Sequence, residues 1–158
     1  MASPAERVLT RTFLAFDFGT RRIGVAVGNS LLRMAQPVTT VKTVQARGDA
    51  RFAAIARLVE EWRPDALVVG VPFHPDGAEH DNTRRARAFG RQLHGRFRLP
   101  VHEVDERYST TEARAQGATD ADAAAAAIIL DQFLRALPAP EALPQASLRS
   151  TDPDAAAT

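Results

Sequence analysis

A chain of 158 residues is the size of one ordinary domain, long enough to bury a substantial core. Apolar residues make up 45% and charged residues 25%, which excludes wholesale disorder. No apolar run approaches the roughly 20 residues of a membrane-spanning helix, and the opening MASPAERVLT lacks an apolar signal core. With no cysteine, disulfide scaffolds, thiolate zinc sites and cysteine nucleophiles are excluded together, and a cytoplasmic protein is expected. Twenty basic residues against nineteen acidic ones leave a charge of +1, too balanced to indicate a nucleic-acid partner by itself.

Residues 1–11 carry no pattern and read as a flexible N-terminal tail. Thr12–Asp17 and Arg22–Val27 are apolar runs separated by a glycine-containing turn, and Val38–Val44 is β-branched and alternating after a loop holding Pro37. Together they predict a three-stranded antiparallel meander. Between Asp49 and Trp62, Phe52, Ile55, Leu58, Val59 and Trp62 recur at helical spacing, and Pro64 marks the exit. Ala66–Val71 is a continuous apolar run, as expected of a strand covered on both faces. A second amphipathic helix is predicted over Thr83–Arg98, stopping near Gly95 and Pro100. A fifth strand follows at Val101–Asp105, then a short helix at Ser109–Gln116 and an alanine-rich one at Asp120–Leu137. Residues 138–158, rich in proline and alanine, read as a disordered tail. The expectation is therefore an α/β domain over 12–137, with a five-stranded mixed sheet flanked by helices.

Three places put acids where a fold should bury apolar surface. Asp17 closes an apolar strand on the face of Phe13 and Ala15, so its carboxylate needs hydrogen bonds, a cation or a raised pKa. A turn aspartate accepting backbone N–H bonds would equally suit that position. Asp105 and Glu106 end the fifth strand, where Ser109 or Thr110 with Glu112 could form a helix start. Asp122 shares a helical face with Ala126, Ile129 and Phe133, whereas helix-end electrostatics alone would also favour an acid there. Three carboxylates on separate elements could converge on Mg²⁺ or Mn²⁺, which prefer oxygen ligands. The four histidines have no zinc spacing, and neither a dinucleotide fingerprint, a phosphate-binding P-loop nor a nucleophile elbow occurs.

The stretch from Asn82 to His102 contains no acid but six arginines. On the second helix Ala86, Phe89, Leu93 and Phe97 form one stripe, with Arg84, Arg87, Arg91 and Arg98 roughly opposite. Such a ridge is ordinarily only a solvated face, but fork-shaped donors of one sign also suit phosphates. Few aromatics interleave with them, which favours backbone recognition over base stacking.

Four segments, DFGTRRIGVAVG at Asp17–Gly28, VVGVPFHPDG at Val68–Gly77, DERYSTTEA at Asp105–Ala113 and DAAAAAIILDQFL at Asp122–Leu134, together resemble the YqgF/RuvX family. The resemblance spans about Thr12–Leu137. It implies a ribonuclease-H-like fold and a metal-dependent nuclease, acting on the 5′ end of the pre-16S ribosomal RNA or on Holliday junctions. It further implies Asp17, Glu106 and Asp122 as catalytic metal ligands, with Asp105 as the alternative to Glu106, and two Mg²⁺ or Mn²⁺ ions as cofactors. Arg21, Arg22, Arg84, Arg87, Arg91, Arg107, Ser109 and Thr110 are the expected nucleic-acid contacts. The family often carries a longer, lysine-rich loop between the last two acids, a role the arginine helix could take over here.

Two other readings compete. The same fold could serve as a nucleic-acid-binding ribosome-maturation or transcription factor that does not cleave. The D-F-G-T segment also resembles the phosphate loop of actin-like sugar kinases, which need two such domains where this length holds one. Resolving a junction would require paired cuts and hence a homodimer, whereas trimming RNA would not.

Overall fold

The structure, a computed structural model, describes residues 10–19, 21–42, 48–72, 80–105 and 121–138. The expected termini beyond these and the helix expected at Ser109–Gln116 lie outside the described residues. Five strands, β1 (Thr12–Phe18), β2 (Arg22–Asn29), β3 (Ala35–Lys42), β4 (Ala66–Val71) and β5 (Val101–Asp105), form one sheet in the order β3-β2-β1-β4-β5. β1 to β3 pair antiparallel, while β1, β4 and β5 run parallel. Three helices are described: α1 (Gly48–Trp62), α2 (Asp81–Phe97) and α3 (Ala121–Ala136). None is long and apolar enough to cross a membrane.

Alternation along each strand sorts the core into two layers. On one face Leu14, Phe16, Ile23, Val25, Leu67 and Val69 pack against Phe52 and Ile55 of α1 and Phe89 and Leu93 of α2. On the other, Phe13, Ala15, Ala26, Ala66 and Val68 meet Ala126, Ile129, Leu130 and Leu134 of α3. All six residues of β4 are buried, as its unbroken apolar run requires.

Two boundaries differ from expectation. β3 begins at Ala35 and contains Pro37, which the sequence places in a preceding loop. β3 is the sheet edge, and its pairing with β2 shifts register between Val25 and Ala26, opposite Thr39 and Pro37. An edge irregularity tolerates a residue without an N–H. α2 runs past Gly95 to Phe97 and ends on Arg98, whose φ of 59° is left-handed and whose N–H donates to the His94 carbonyl at 2.9 Å. The glycine expected in that role sits three residues too early, with open space where a Cβ would be.

The α3 helix lies along β2 because β2 offers little side chain there. A Cβ on Gly24 would overlap the carbonyl oxygen of Asp122, and one on Gly28 would press on Leu130 and Leu134. At the other end of α3, Arg33 Nη1 donates to the carbonyls of Leu134 (3.2 Å) and Leu137 (2.9 Å). Asp131 Oδ1 accepts from the Ala35 N–H of β3 at 2.9 Å. Gly24→Ala therefore lifts the first turn of α3 from the sheet. It is expected to cost about 1–3 kcal/mol of stability, read as a lower urea midpoint, whereas Gly95→Ala is stability-neutral or stabilising.

Candidate functional site

Asp17 lies on β1 between two glycines, Gly24 of β2 and Gly70 of β4. All three share the face of Phe13, Ala15, Ala26, Ala66 and Val68, the face that α3 covers. The half-buried carboxylate thus stands in a clearing with no side chain on either neighbouring strand. The backbone of Asp122 rests on Gly24, directly across the strand pair from Asp17. Asp122, Ala126, Ile129 and Phe133 follow the expected helical face. Ala126 and Ile129 are buried, and Phe133 sets its ring edge-on to Phe13 with centroids 5.0 Å apart. Asp17 and Asp122 are accordingly brought to one place by the sheet and the start of α3.

Arg22 enters the same place. Its Nε lies 3.1 Å from Asp122 Oδ2, with the arginine side chain 61% exposed and the aspartate 33%. Arg22 has the strand parity of Gly24, so it flanks the clearing on the α3 side. Arg21 is exposed in the turn before β2.

On β5 strand parity places the described candidate acid, Asp105. Val104 packs into the layer under α3, and His102 stacks on Phe133 with centroids 5.1 Å apart. Val101 packs into the opposite layer, and Glu103 pairs with Arg87 of α2. Asp105, paired with Val71, shares the parity of Val101 and Glu103 and so belongs to the α2 side. Glu106, Arg107, Ser109 and Thr110 lie outside the described residues. Among the described residues no three His, Cys, Asp or Glu side chains are gathered as a metal-ligand set.

The arginine ridge of α2 is less bare than its sequence window suggests. The acid-free stretch stops just short of Asp81 and Glu103, and both fold back onto it. Arg84 Nη2 lies 2.5 Å from Asp81 Oδ1, and Arg87 Nε lies 3.3 Å from Glu103 Oε1. Arg91 is exposed on the same helix. These pairs are largely solvated, so each contributes little and can exchange its carboxylate for another anion.

A match to the family model described as "RuvX: Holliday junction resolvase" covers residues 11–136. The chain belongs to the RuvX family. A protein of Albidiferax ferrireducens named "Putative pre-16S rRNA nuclease" is 68% identical over 127 residues, covering 80% of each chain. One of the same name from a Polaromonas species is 66% identical, covering 81% of this chain and 91% of the relative. In three dimensions the chain is similar to Thermus thermophilus RuvC in complex with a Holliday junction substrate, with a TM-score of 0.54 at 17% identity. That match covers 79% of this chain and 94% of RuvC. This likeness establishes the ribonuclease-H-like fold that the four motifs of the RuvX family imply.

Sequence reading overlooked Gly24 and Gly70 as the walls of the site; the available signal was glycine inside otherwise apolar strands. Nor does the sequence single out His102, one of four histidines without zinc spacing. His102 Nε2 is buried without a hydrogen-bond partner, and burial, with the charge of Arg11, lowers its pKa from the usual 6.5. The unfolded chain then binds this proton more readily than the folded one. Stability is full above about pH 6.5 and falls as pH drops through that value toward the lowered folded pKa. His102→Phe, which keeps a ring against Phe133, is expected to flatten that part of the curve. Urea midpoints measured between about pH 5 and 8 check this.

Proposed function

We propose that this RuvX-family protein is a divalent-metal-dependent nuclease that hydrolyses phosphodiester bonds in structured nucleic acid, with the 5′ end of pre-16S ribosomal RNA as its first substrate. The observation that carries the reading is Asp17 between Gly24 and Gly70, with the first turn of α3 delivering Asp122 to the same clearing. The names of the two relatives support RNA, and the family description keeps four-way DNA junctions as the comparison substrate.

Asp17, Asp122 and Glu106 are the proposed ligands and catalytic residues. Glu106 is proposed over Asp105 because the strand parity of Asp105 puts it with Glu103 on the α2 side, away from Asp17. Oxygen donors beside two missing side chains fit a hydrated Mg²⁺ or Mn²⁺, which keeps several waters among its ligands. Held by Asp17, Asp122 and Glu106, such ions would supply an activated water and charge stabilisation for the leaving oxygen. Asp17 anchors the site from the rigid centre of the sheet, and Asp122 closes it from the helix. Arg22 orients Asp122 and keeps much of its guanidinium exposed for a substrate phosphate. Arg21, Arg107, Ser109 and Thr110 are the proposed backbone contacts near the cut. Arg84, Arg87 and Arg91 extend them along α2, where Asp81 and Glu103 hold two of the three until phosphate displaces them.

Purified Asp17→Asn is expected to lose cleavage at least about a hundredfold on a pre-16S RNA fragment with Mg²⁺ or Mn²⁺, while folding and binding persist. Glu106→Gln is expected to match that loss and Asp105→Asn to retain most of the rate. Parallel digestion of a four-way DNA junction separates the substrates. Tight binding of both substrates by the wild-type chain without turnover would instead make it a non-catalytic maturation factor.

A further inference from the structure

On the opposite face of the sheet a second pair of arginines is packed over aromatic rings. Arg51 of α1 lies over three rings, its guanidinium carbon 5.7 Å from the centroid of Phe18, 5.0 Å from Phe52 and 5.8 Å from Phe89. Arg96 of α2 lies over the same Phe52 ring at 4.1 Å. Between them Gln92 Oε1 accepts a hydrogen bond from Arg51 Nη2 at 3.3 Å.

We propose that Arg51 and Arg96, with Gln92 between them, form a second binding site for the phosphodiester backbone of a nucleic acid, on the side of the sheet away from Asp17. This site rests on the nucleic-acid reading above and extends it.

Four observations support it. Arg51 Nε is buried and has no hydrogen-bond partner, so a donor is withheld from water with nothing to receive it. The two guanidinium groups are close enough that Arg96 disfavours the charge on Arg51, as burial also does. No described carboxylate is paired with Arg51 to offset that repulsion, and Arg51 also stands near the positive end of α1. An anion would relieve all of these costs at once. Finally, Arg96, Phe52, Ala53, Ala56 and Phe97 border an open hollow of about 350 Å³.

The chemistry favours phosphate on a chain. Packing over Phe52 holds both guanidinium groups in place, and their remaining N–H donors suit the oxygens of a phosphate. Arg85 and Arg96 fall on one stripe of α2, about three turns apart with the neutral Gln92 between them, so a further cation follows the same line. Cations spaced along one line suit a polymer with repeating charges better than a single small anion. No base-reading groups accompany it, so recognition is independent of sequence.

The test uses the full chain in EDTA, so that cleavage plays no part, with a labelled RNA hairpin and a DNA hairpin of the same sequence. Arg51→Gln and Arg96→Gln are each expected to weaken binding of both hairpins about three- to tenfold. Each should also reduce the slope of log K against log salt by about one. Unchanged affinity and slope in both variants would overturn the site. Because Arg51→Gln removes packing as well as charge, the wild-type Arg51 Nε–Hε NMR signal gives a second reading. It should shift and exchange more slowly when either hairpin is added, and an unmoved signal counts against the site. Asp17→Asn cleaving at the wild-type rate would overturn the carboxylate reading alone, whereas unchanged binding by the arginine variants overturns this one alone.

Discussion

Everything proposed for the catalytic face depends on one close approach, the backbone of Asp122 on Gly24. Asp17 and Asp122 are far apart in the chain, and no flexible side chain spans that separation. The contact works because β2 has no side chain where the helix lands, and because the alanines of α3 keep its lower surface thin enough to follow. Arg33 holds the far end by the last carbonyls of the helix, at the expense of its own left-handed φ of 55°. Fixed at both ends, α3 has little freedom to slide, and the position of Asp122 becomes a property of backbone packing. A site proposed to hold ions to within fractions of an ångström is better served by that than by loops.

The arginines divide by what faces them. Arg22, Arg84 and Arg87 each meet a carboxylate across a partly solvated gap, where an ion pair orients more than it stabilises. Phosphate can replace those carboxylates with little net loss, so the pairs set direction without blocking a ligand. Arg51 meets rings, an amide and another arginine instead. Its stem and plane are committed to packing while its charge is not, an arrangement that isolated stability would not select.

Much of this was legible from the residues. Alternation in TFLAFD placed Asp17 correctly with Phe13 and Ala15, and the i, i+4, i+7 series placed Asp122 toward the sheet. Helical and strand periods depend on local geometry, which sequence carries directly. What failed depended on neighbours. Pro37 reads as a strand breaker until β3 is known to be an edge, and Gly95 reads as a stop until Arg98 is seen to take the left-handed turn. The acid-free window around the arginines was real, yet helical spacing brings Asp81 onto Arg84 and sheet order brings Glu103 onto Arg87. Gly24 and Gly70 carried the least visible signal, since a missing side chain shows its purpose only when two other strands are in place.

The same alternation that makes the core also separates the two proposed binding tasks by a single residue. Asp17 faces α3 in a clearing suited to cations, and Phe18 faces α1 and α2 beneath Arg51. A short fragment could fill only one of these places, because the sheet stands between them. A longer folded strand that passes around the end of β1 could engage both, gaining from the second contact without altering the chemistry at the first. Binding energy gathered away from the scissile bond can then be spent on orienting it. Selection for structured nucleic acid over free nucleotides would follow from the thickness of the sheet rather than from any group that reads a base.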